Sequence, residues 1–385
     1  MSDSTAIEFP GNPSHLTLEE IQQQPACWKK TFEVIRDARP RINAFLNRFF
    51  SEAGERQVIV TGAGSSAYAG IVLESVIRKD TPACVRAIAT TDIIVEPESY
   101  FKPGVATLLV SFSRSGDSPE SQAVIDLADQ SGSAVCHLII TCNRNGRIAA
   151  KQGDANALVI FLPEETNDRA LAMTSSFSNM LLAGILVFAW NSLGDVEAQV
   201  GILMGHGQRI LDEHAGTLES ISKSGFRQAV FLGSGSLTGI AQESKLKLLE
   251  LTVGGVVCHH ESFLAFRHGP IAVLNADTLL VYLFSSDPNI LPYEKDLAKS
   301  MVKGKFKLGI TQLPLDDVAL DELIVFGGKD GELVRNELLP VCAVLPGQLL
   351  GYFTSLNLGL NPDSPCTDGS YSRVVQGVNI YQPIN

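Results

Sequence analysis

The sequence lacks a surplus of basic residues, a long apolar run and a recognisable leader. Its 30 lysines and arginines are outnumbered by 42 acidic residues, which gives a formal net charge of −12. Nucleic acids and anionic membranes are bound through clustered basic side chains, so neither is an expected partner. The most apolar stretch, 180–190, is too short to cross a bilayer, and the first sixteen residues lack the profile of a signal peptide. These absences predict a soluble, cytoplasmic protein.

Paired cysteines and clustered metal ligands are also missing. The seven cysteines show no CxxC pair and no regular spacing, which favours reduced, buried thiols over a disulfide framework. Four of them lie in runs with strand-like sequence, namely Cys84, Cys136, Cys258 and Cys342. His259 and His260 are adjacent on an apparent strand, so they point to opposite faces and do not suit one ion. We therefore expect no metal and no cofactor.

Short apolar strands alternate with helices over most of the 385 residues, a length that suits two domains. Runs such as 106–111 and 138–140 resemble strands of a parallel sheet that is buried on both faces. Helical spacing precedes the first strand, with a capping box formed by Thr17 and Glu20 and a break near Pro40. We predict an α/β fold of two tandem three-layer αβα units with mainly parallel sheets.

One short pattern recurs at an offset of 171 residues. Its copies are Arg56-Gln57 with Gly62-x-Gly64-Ser65, and Arg227-Gln228 with Gly233-x-Gly235-Ser236. In both, a strand leads through the glycine turn into a helix, which predicts an internal duplication. The predicted segments are an N-terminal arm and helix (1–50), a first unit (51–195), a linker helix (196–222), a second unit (223–345), and a C-terminal helix with a tail that docks on the body (346–385).

The most informative stretch is Ser113-Arg114-Ser115-Gly116-Asp117-Ser118, which follows an apolar strand and precedes a helix. Ligands bind at such strand ends in open α/β sheets. A helix N-terminus offers free N–H groups and a partial positive charge, and the three hydroxyls add donors. The loop therefore suits a phosphate. The alternative, in which serines only cap and turn the chain, explains one serine better than three within six residues.

The earlier glycine turn, Gly62-Ala-Gly64-Ser65-Ser66, is not a dinucleotide-binding fingerprint. The third glycine of that motif is replaced by Ala67, and no acidic residue stands at the expected later strand end. A tight turn that brings backbone N–H groups and Ser66 toward a small ligand fits better.

A later helix carries Glu243, Lys247 and Glu250, spaced so that they share one face. A solvated charged face is the usual explanation of such spacing, so the pattern alone leaves a catalytic role for Glu250 open. His268 stands directly before Gly269-Pro270, where a turn exposes the ring. It suits a general acid or base near neutral pH, although an incidental loop histidine has the same setting.

Together these stretches resemble the sugar isomerase (SIS) domain family, whose units are flavodoxin-like. The tandem arrangement is similar to the isomerase half of glucosamine-6-phosphate synthase and most similar to the AgaS group of galactosamine-6-phosphate deaminases/isomerases. The resemblance covers roughly 50–381. The stretches that carry it are Gly64-Ser65-Ser66, the 113–118 loop, 172–176, 243–250, Arg267-His268-Gly269-Pro270 and 373–378.

The resemblance implies roles for individual residues. Phosphate binding falls to Ser113, Ser115 and Ser118. Glu250 would move a proton between C1 and C2, His268 would assist ring opening from a neighbouring subunit in an obligate homodimer, and Lys247 would lie at the sugar end. The other implied substrate-binding residues are Gly64, Ser65, Ser66, Arg114, Thr174, Ser175 and Gln376. Gln376 stands where the synthase has a lysine and supplies no cation, so it is not assigned that lysine's role.

The implied reaction is conversion of galactosamine 6-phosphate to tagatose 6-phosphate and ammonia. The chain has no glutaminase module, so the ammonia-releasing direction is the economical expectation. The alternatives are a glucosamine-6-phosphate deaminase, a plain tagatose-6-phosphate ketose/aldose isomerase and, less favoured, a non-catalytic phosphosugar sensor. The first unit is expected to bind phosphate and the second to transfer the proton, which predicts an active site where the two halves meet.

Overall fold

The computed structural model describes residues 15–328, 332–369, 372–375 and 377–381. Within them, ten strands form two sheets of five, with all neighbouring strands parallel. The strands are β1 Glu55–Thr61, β2 Cys84–Ala87, β3 Val105–Ser113, β4 Val135–Thr141, β5 Ala157–Phe161, β6 Gln228–Gly233, β7 Val257–Glu261, β8 Thr278–Leu283, β9 Phe306–Thr311 and β10 Glu322–Val325. The predicted α/β fold with parallel sheets is confirmed.

The helices flank these sheets. They are α1 Leu16–Gln22, α2 Gln24–Ser51, α3 Ser65–Ile77, α4 Thr90–Val95, α5 Pro119–Gln130, α6 Ser175–Ala189, α7 Val196–Arg209, α8 Ala215–Ser222, α9 Leu237–Leu251, α10 Phe263–Phe266, α11 Leu291–Ser300, α12 Leu339–Ala343 and α13 Leu345–Asn357. A short π-helix, Ile210–His214, joins α7 to α8 without a break.

Two of the predictions for the N-terminal helices, the break near Pro40 and the capping box of Thr17 and Glu20, are wrong. Helix α2 continues through Pro40, because a buried apolar face that includes Ile35 and Ile42 outweighs the one hydrogen bond that proline removes. Thr17 and Glu20 form no capping box. The Thr17 hydroxyl donates to Asp363 Oδ1 at 2.8 Å, and Glu20 accepts backbone N–H groups of a distant loop instead.

The chain forms two compact units, each built from separate stretches. The β1–β5 unit contains Lys30–Asn167, Ser176–Gly194 and the described residues from Gly369 onward. The β6–β10 unit contains the described residues up to Lys29, Asp168–Ser175 and Asp195–Asp368. The sequence-based segments divide the chain consecutively, and those boundaries stay predictions.

Both sheets have the same strand order. The first is β2-β1-β3-β4-β5, and the second is β7-β6-β8-β9-β10. The repeated glutamine has a matching structural role, because Gln57 Nε2 donates to Thr107 Oγ1 at 3.0 Å and Gln228 Nε2 donates to Thr278 Oγ1 at 3.1 Å. Each glutamine thereby ties the first strand of its sheet to the third. The duplication itself stays a prediction.

The C-terminal helices form the centre of the β6–β10 unit. The stretch Leu339–Asn357 is long and apolar enough to span a membrane, with a mean hydropathy of 1.3, but 94% of it is buried inside the protein. That burial is what a core helix shows. Cys342 lies in α12 and not in a strand, and Cys84 is exposed and not buried, so both expectations were wrong. None of the seven cysteines, all of which lie in the described residues, forms a disulfide.

Candidate active site

The first sheet reverses its winding direction at β1. From β1 the chain goes to β2 on one side and then returns to β3 on the other. In open parallel sheets the crevice outside the carboxyl ends of two such strands is where ligands bind. The glycine turn 62–66 follows β1 and the serine loop 113–118 follows β3. The structure therefore brings both predicted substrate-binding loops to one crevice of the β1–β5 unit.

The serine loop is shaped by its own hydroxyls. Ser113 Oγ accepts from Gly116 N at 3.1 Å, and Ser115 Oγ accepts from Asp117 N at 3.2 Å. Ser118 is the N-cap of α5 and accepts from Ser121 N at 3.3 Å. A hydroxyl that accepts a bond can still donate one, so Ser113 and Ser115 each offer an O–H to a ligand.

Neighbouring segments brace this loop. Asn143 Nδ2 donates to the Ser115 carbonyl at 2.7 Å, and Ile148 N donates to the Gly116 carbonyl at 3.1 Å. Gly116 has φ of +68°, and a Cβ there would lie 3.0 Å from Gly146 Cα, so only glycine fits. Arg147 Nη2 donates to the Asp117 carbonyl at 2.7 Å. The loop is thus held in one conformation before any ligand arrives, which lowers the entropic cost of binding.

Arg114 contacts the C-terminal tail. Its guanidinium is buried and donates to the Arg373 carbonyl, while Arg373 Nη2 donates to Asn167 Oδ1 at 2.8 Å. Arg114 thereby ties the serine loop to the tail, and its predicted contact with phosphate stays a prediction. Gln376, the other predicted tail residue, lies outside the described residues.

The glycine turn after β1 is equally tight. A Cβ on Gly62 would lie 2.5 Å from the Ser66 Cβ, and Gly64 has φ of +56°. Ser65 and Ser66 begin α3 and are buried in the first turn of that helix. The N–H groups of Ser66 and Ala67 close this turn on the Ala63 and Gly64 carbonyls, at 3.1 and 2.9 Å. The start of α3 lies at the carboxyl end of β1, where the sequence predicts a small anionic ligand, and that contact stays a prediction.

Helix α9 supplies a charged triad in the β6–β10 unit. Lys247 is completely buried, and its Nζ lies 2.7 Å from Glu250 Oε2 and 3.4 Å from Glu243 Oε1. Burial by itself lowers the pKa of Lys247, but the two carboxylates outweigh it and raise that pKa, so the ammonium is charged at neutral pH. Glu243 is fully buried as well, whereas the Glu250 side chain is 27% exposed.

This exposure distinguishes Glu250 from the other two members of the triad, Glu243 and Lys247. A proton-transfer group must reach both a substrate and a stable partner, and Glu250 has an open side together with a fixed ammonium. The spacing of 243, 247 and 250 is therefore not a solvated face, because its first two members are buried. Sequence reasoning left that point open because helical spacing alone does not show which face is covered.

Helix α9 ends in strained backbone that sequence reasoning missed. Val253 has φ of +50°, the one positive φ among the described residues other than glycine. Its N–H donates to the Glu250 carbonyl at 3.2 Å, and Gly254 N donates to the Leu249 carbonyl at 3.0 Å. These two bonds are the usual helix ending in which glycine takes the left-handed position. A β-branched residue there is strained, and such strain concentrates near functional groups.

Thr174 and Ser175 are completely buried and bonded to one carboxylate. Asp168 accepts from Thr174 N at 3.0 Å, from Thr174 Oγ1 at 3.1 Å and from Ser175 N at 2.9 Å. Glu20 accepts from the backbone of Arg169 in the same loop. Burial and the nearby Asp168 raise the pKa of Glu20 to about 7. Sequence reasoning missed Asp168, which binds residues six and seven positions along its own loop. It gave Glu20 a different partner, because Glu20 meets this loop only through the tertiary fold.

His268 is not bonded to the α9 triad within the described residues. It is exposed, follows α10, and precedes Gly269, whose φ is +130°. No hydrogen bond or ion pair of the described residues joins it to Lys247 or Glu250. Within the described residues no three His, Cys, Asp or Glu side chains group as metal ligands would. The predicted roles of His268, Glu250 and the serines stay predictions.

Comparison with known proteins places the chain among phosphosugar enzymes. It is 39% identical over 370 residues to the D-galactosamine-6-phosphate deaminase AgaS of Shewanella sp. strain ANA-3, covering 95% of this chain and 91% of that protein. The putative AgaS deaminase of Streptomyces coelicolor is 37% identical, with 95% of each chain covered. No protein-family model matches the chain.

Solved structures agree with the sequence relatives. A putative tagatose-6-phosphate ketose/aldose isomerase from Clostridium novyi NT superposes with a TM-score of 0.92 at 36% identity, covering 96% of this chain and 95% of that one. The resemblance to the AgaS group that the motifs indicated is therefore confirmed. The chain belongs to the AgaS family of D-galactosamine-6-phosphate deaminases.

Proposed function

We propose that this protein converts D-galactosamine 6-phosphate to tagatose 6-phosphate and ammonia. The proposal rests on family membership together with one observation, the partly exposed Glu250 carboxylate held against a buried ammonium. The serine loop binds the phosphate through Ser113, Ser115 and Ser118 and through the start of α5. No redox step is involved, because the reaction moves a proton and then hydrolyses a carbon–nitrogen bond.

The chemistry follows from the position of the acidic proton. His268 assists opening of the sugar ring, which exposes an aldehyde at C1 and makes the C2 proton acidic. Glu250 takes the C2 proton, and the electron pair forms the enol. Reprotonation at C1 gives a ketose imine at C2. Water adds to that imine and ammonia leaves, so the carbon skeleton gains the ketone oxygen from water. Lys247 holds the Glu250 carboxylate in place throughout.

A panel of phosphosugars tests the reaction. Released ammonia is measured with galactosamine 6-phosphate and with glucosamine 6-phosphate, and ketose formation is measured with galactose 6-phosphate. Preferred release from the galacto amino sugar supports the proposal. Preference for the gluco sugar indicates the glucosamine-6-phosphate deaminase, and turnover of galactose 6-phosphate without ammonia release from either amino sugar indicates the plain isomerase. Tight binding with no turnover indicates a sensor.

A substitution tests the proton-transfer role. Glu250→Gln should keep phosphosugar binding and lower solvent-deuterium exchange at C2 by about 1,000-fold. Glu219→Gln is the matched control, because Glu219 is 28% exposed and lies 2.6 Å from Lys223 Nζ, but that lysine is exposed and not buried. Exchange that survives in the Glu250 variant would exclude this residue as the base.

We also propose a soluble, cytoplasmic homodimer. His268 is exposed and, in the described part of the chain, forms no hydrogen bond or ion pair with Lys247 or Glu250, which suits a side chain that serves the neighbouring copy's site. Sedimentation at several concentrations measures the oligomeric state. A monomer with full activity would contradict the shared site.

A further inference from the structure

The second sheet has a crevice equivalent to the one that holds the serine loop. From β6 the chain goes to β7 on one side and returns to β8 on the other, with Gly233 and Leu283 as paired residues at the strand ends. A ligand-binding crevice is expected there for the same topological reason. The turn 233–236 follows β6, and the loop 285–287 follows β8.

The two loops after the third strands share a turn. Asp287 N donates to Ser285 Oγ at 3.1 Å, as Asp117 N donates to Ser115 Oγ at 3.2 Å. The glycine turns also match, since Gly235 has φ of +57° and Gly64 has φ of +56°. The backbone of the second crevice therefore resembles the backbone with which the first crevice is proposed to bind an anion.

A carboxylate of the chain itself occupies this second crevice. Glu294, on α11, is completely buried, and its Oε2 accepts from Ser285 N at 2.7 Å. Its Oε1 has no hydrogen-bond partner among the described residues. Burial raises the pKa of Glu294 to about 7, although hydrogen bonds from the Ser285 N–H and the Ser234 hydroxyl lower it. Both donors come from the loops that line the crevice.

The position of Glu294 has a counterpart in the first unit. Helices α5 and α11 each carry a proline in their first turn, Pro119 and Pro292. Two residues after it, α5 has Ser121 and α11 has Glu294. The short Ser121 side chain accepts a hydrogen bond from Ser118 Oγ at 2.6 Å, whereas the longer Glu294 side chain reaches the backbone of the loop after β8.

We propose that the crevice between β6 and β8 is a second anion-binding site of the phosphate class, closed in this protein by the carboxylate of Glu294. The assignment to phosphate rests on the proposed function of the equivalent first crevice. It explains why the two units of similar topology differ in role: the carboxylate takes the donors that a phosphate would use, so one chain holds one phosphosugar.

Exchanging the two residues tests the proposal. Glu294→Ser should admit inorganic phosphate within hydrogen-bond distance of Ser285 N in a crystal structure. The melting temperature of this variant should be higher in phosphate than in potassium chloride of equal ionic strength. That increase should exceed the wild-type increase by several degrees. Glu294→Gln keeps the crevice filled and should show no such gain. The reciprocal Ser121→Glu should weaken phosphosugar binding more than about tenfold.

Each outcome bears on the idea. Phosphate at Ser285 N in wild type, or its absence there in a folded Glu294→Ser protein, would overturn the proposal. A Glu294→Ser chain that folds only in phosphate supports it. If that chain folds in neither buffer, Ser121→Glu decides: retained phosphosugar affinity would overturn the equivalence of the positions. Failure of the wild-type protein to bind any phosphosugar would instead refute the proposed function. The two failures are distinguishable, because phosphate binding at Ser285 N is measured separately, in the Glu294→Ser protein.

Discussion

Lys247 Nζ lies 2.7 Å from Glu250 Oε2 and 3.4 Å from Glu243 Oε1, so one buried ammonium serves two carboxylates of the same helix. Removing it leaves Glu243 as a buried charge without its cation. We expect Lys247→Met to lower the free energy of unfolding by about 3 kcal/mol. The double variant Glu243→Gln with Lys247→Met should recover most of that loss, because both charges are gone. Urea unfolding measures both, and equal stability of the single and double variants would contradict the pairing.

A mixed-dimer experiment tests the proposed sharing of His268. Glu250→Gln and His268→Ala chains should each be inactive alone. Mixed and refolded together, they should regain about a quarter of wild-type ammonia release, since half of the dimers are mixed and each carries one intact site. Mixing two batches of the same variant is the control. No recovery, in a preparation shown to contain mixed dimers, would place His268 and Glu250 of one chain in one site.

The pH dependence of stability should reveal Glu294. Its pKa is raised from 4.5 to about 7. Between these values the folded protein keeps a proton that the unfolded chain has released, so this group's contribution to the unfolding free energy falls as pH rises, by about 3 kcal/mol in total. Glu294→Gln does not titrate. Urea unfolding from pH 4.5 to 8 should show wild type losing stability relative to the variant, whereas parallel profiles would contradict the shift. Glu20 is common to both proteins and cancels in the difference.

Relief of strain at the end of α9 is a further measurable effect. Val253→Gly should raise the unfolding free energy by about 1 kcal/mol, because glycine adopts the left-handed conformation freely and the 43%-exposed valine gives up little burial. The control is Val257→Gly, at a 54%-exposed valine in β7, which should be destabilising. Lower stability of the Val253 variant in thermal unfolding would show that the valine conformation carries no strain. A loss of ammonia release at higher stability would indicate that the strain positions Glu250.

Much of the fold could be predicted locally. The apolar runs around 106–111 and 138–140 became β3 and β4, and the turn after β1 was recognised from its glycines. The failures arose where a distant segment competes with a local pattern. Thr17 and Glu20 match a capping box by spacing, but Asp363 and the 169–170 backbone bind them instead. Pro40 indicates a helix break when only the local sequence is considered, because the residues that pack against its helix are set by the tertiary fold.

The sequence by itself determined the strand-and-helix alternation, the serine loop and the family, because these depend on residue types at short spacing. Only the tertiary structure decided which charges are buried. It showed that Lys247 and Glu243 lie inside and Glu250 reaches solvent, and that Glu294 is buried against the loop after β8. Burial depends on what packs against a side chain from far along the chain, and no local pattern contains that information.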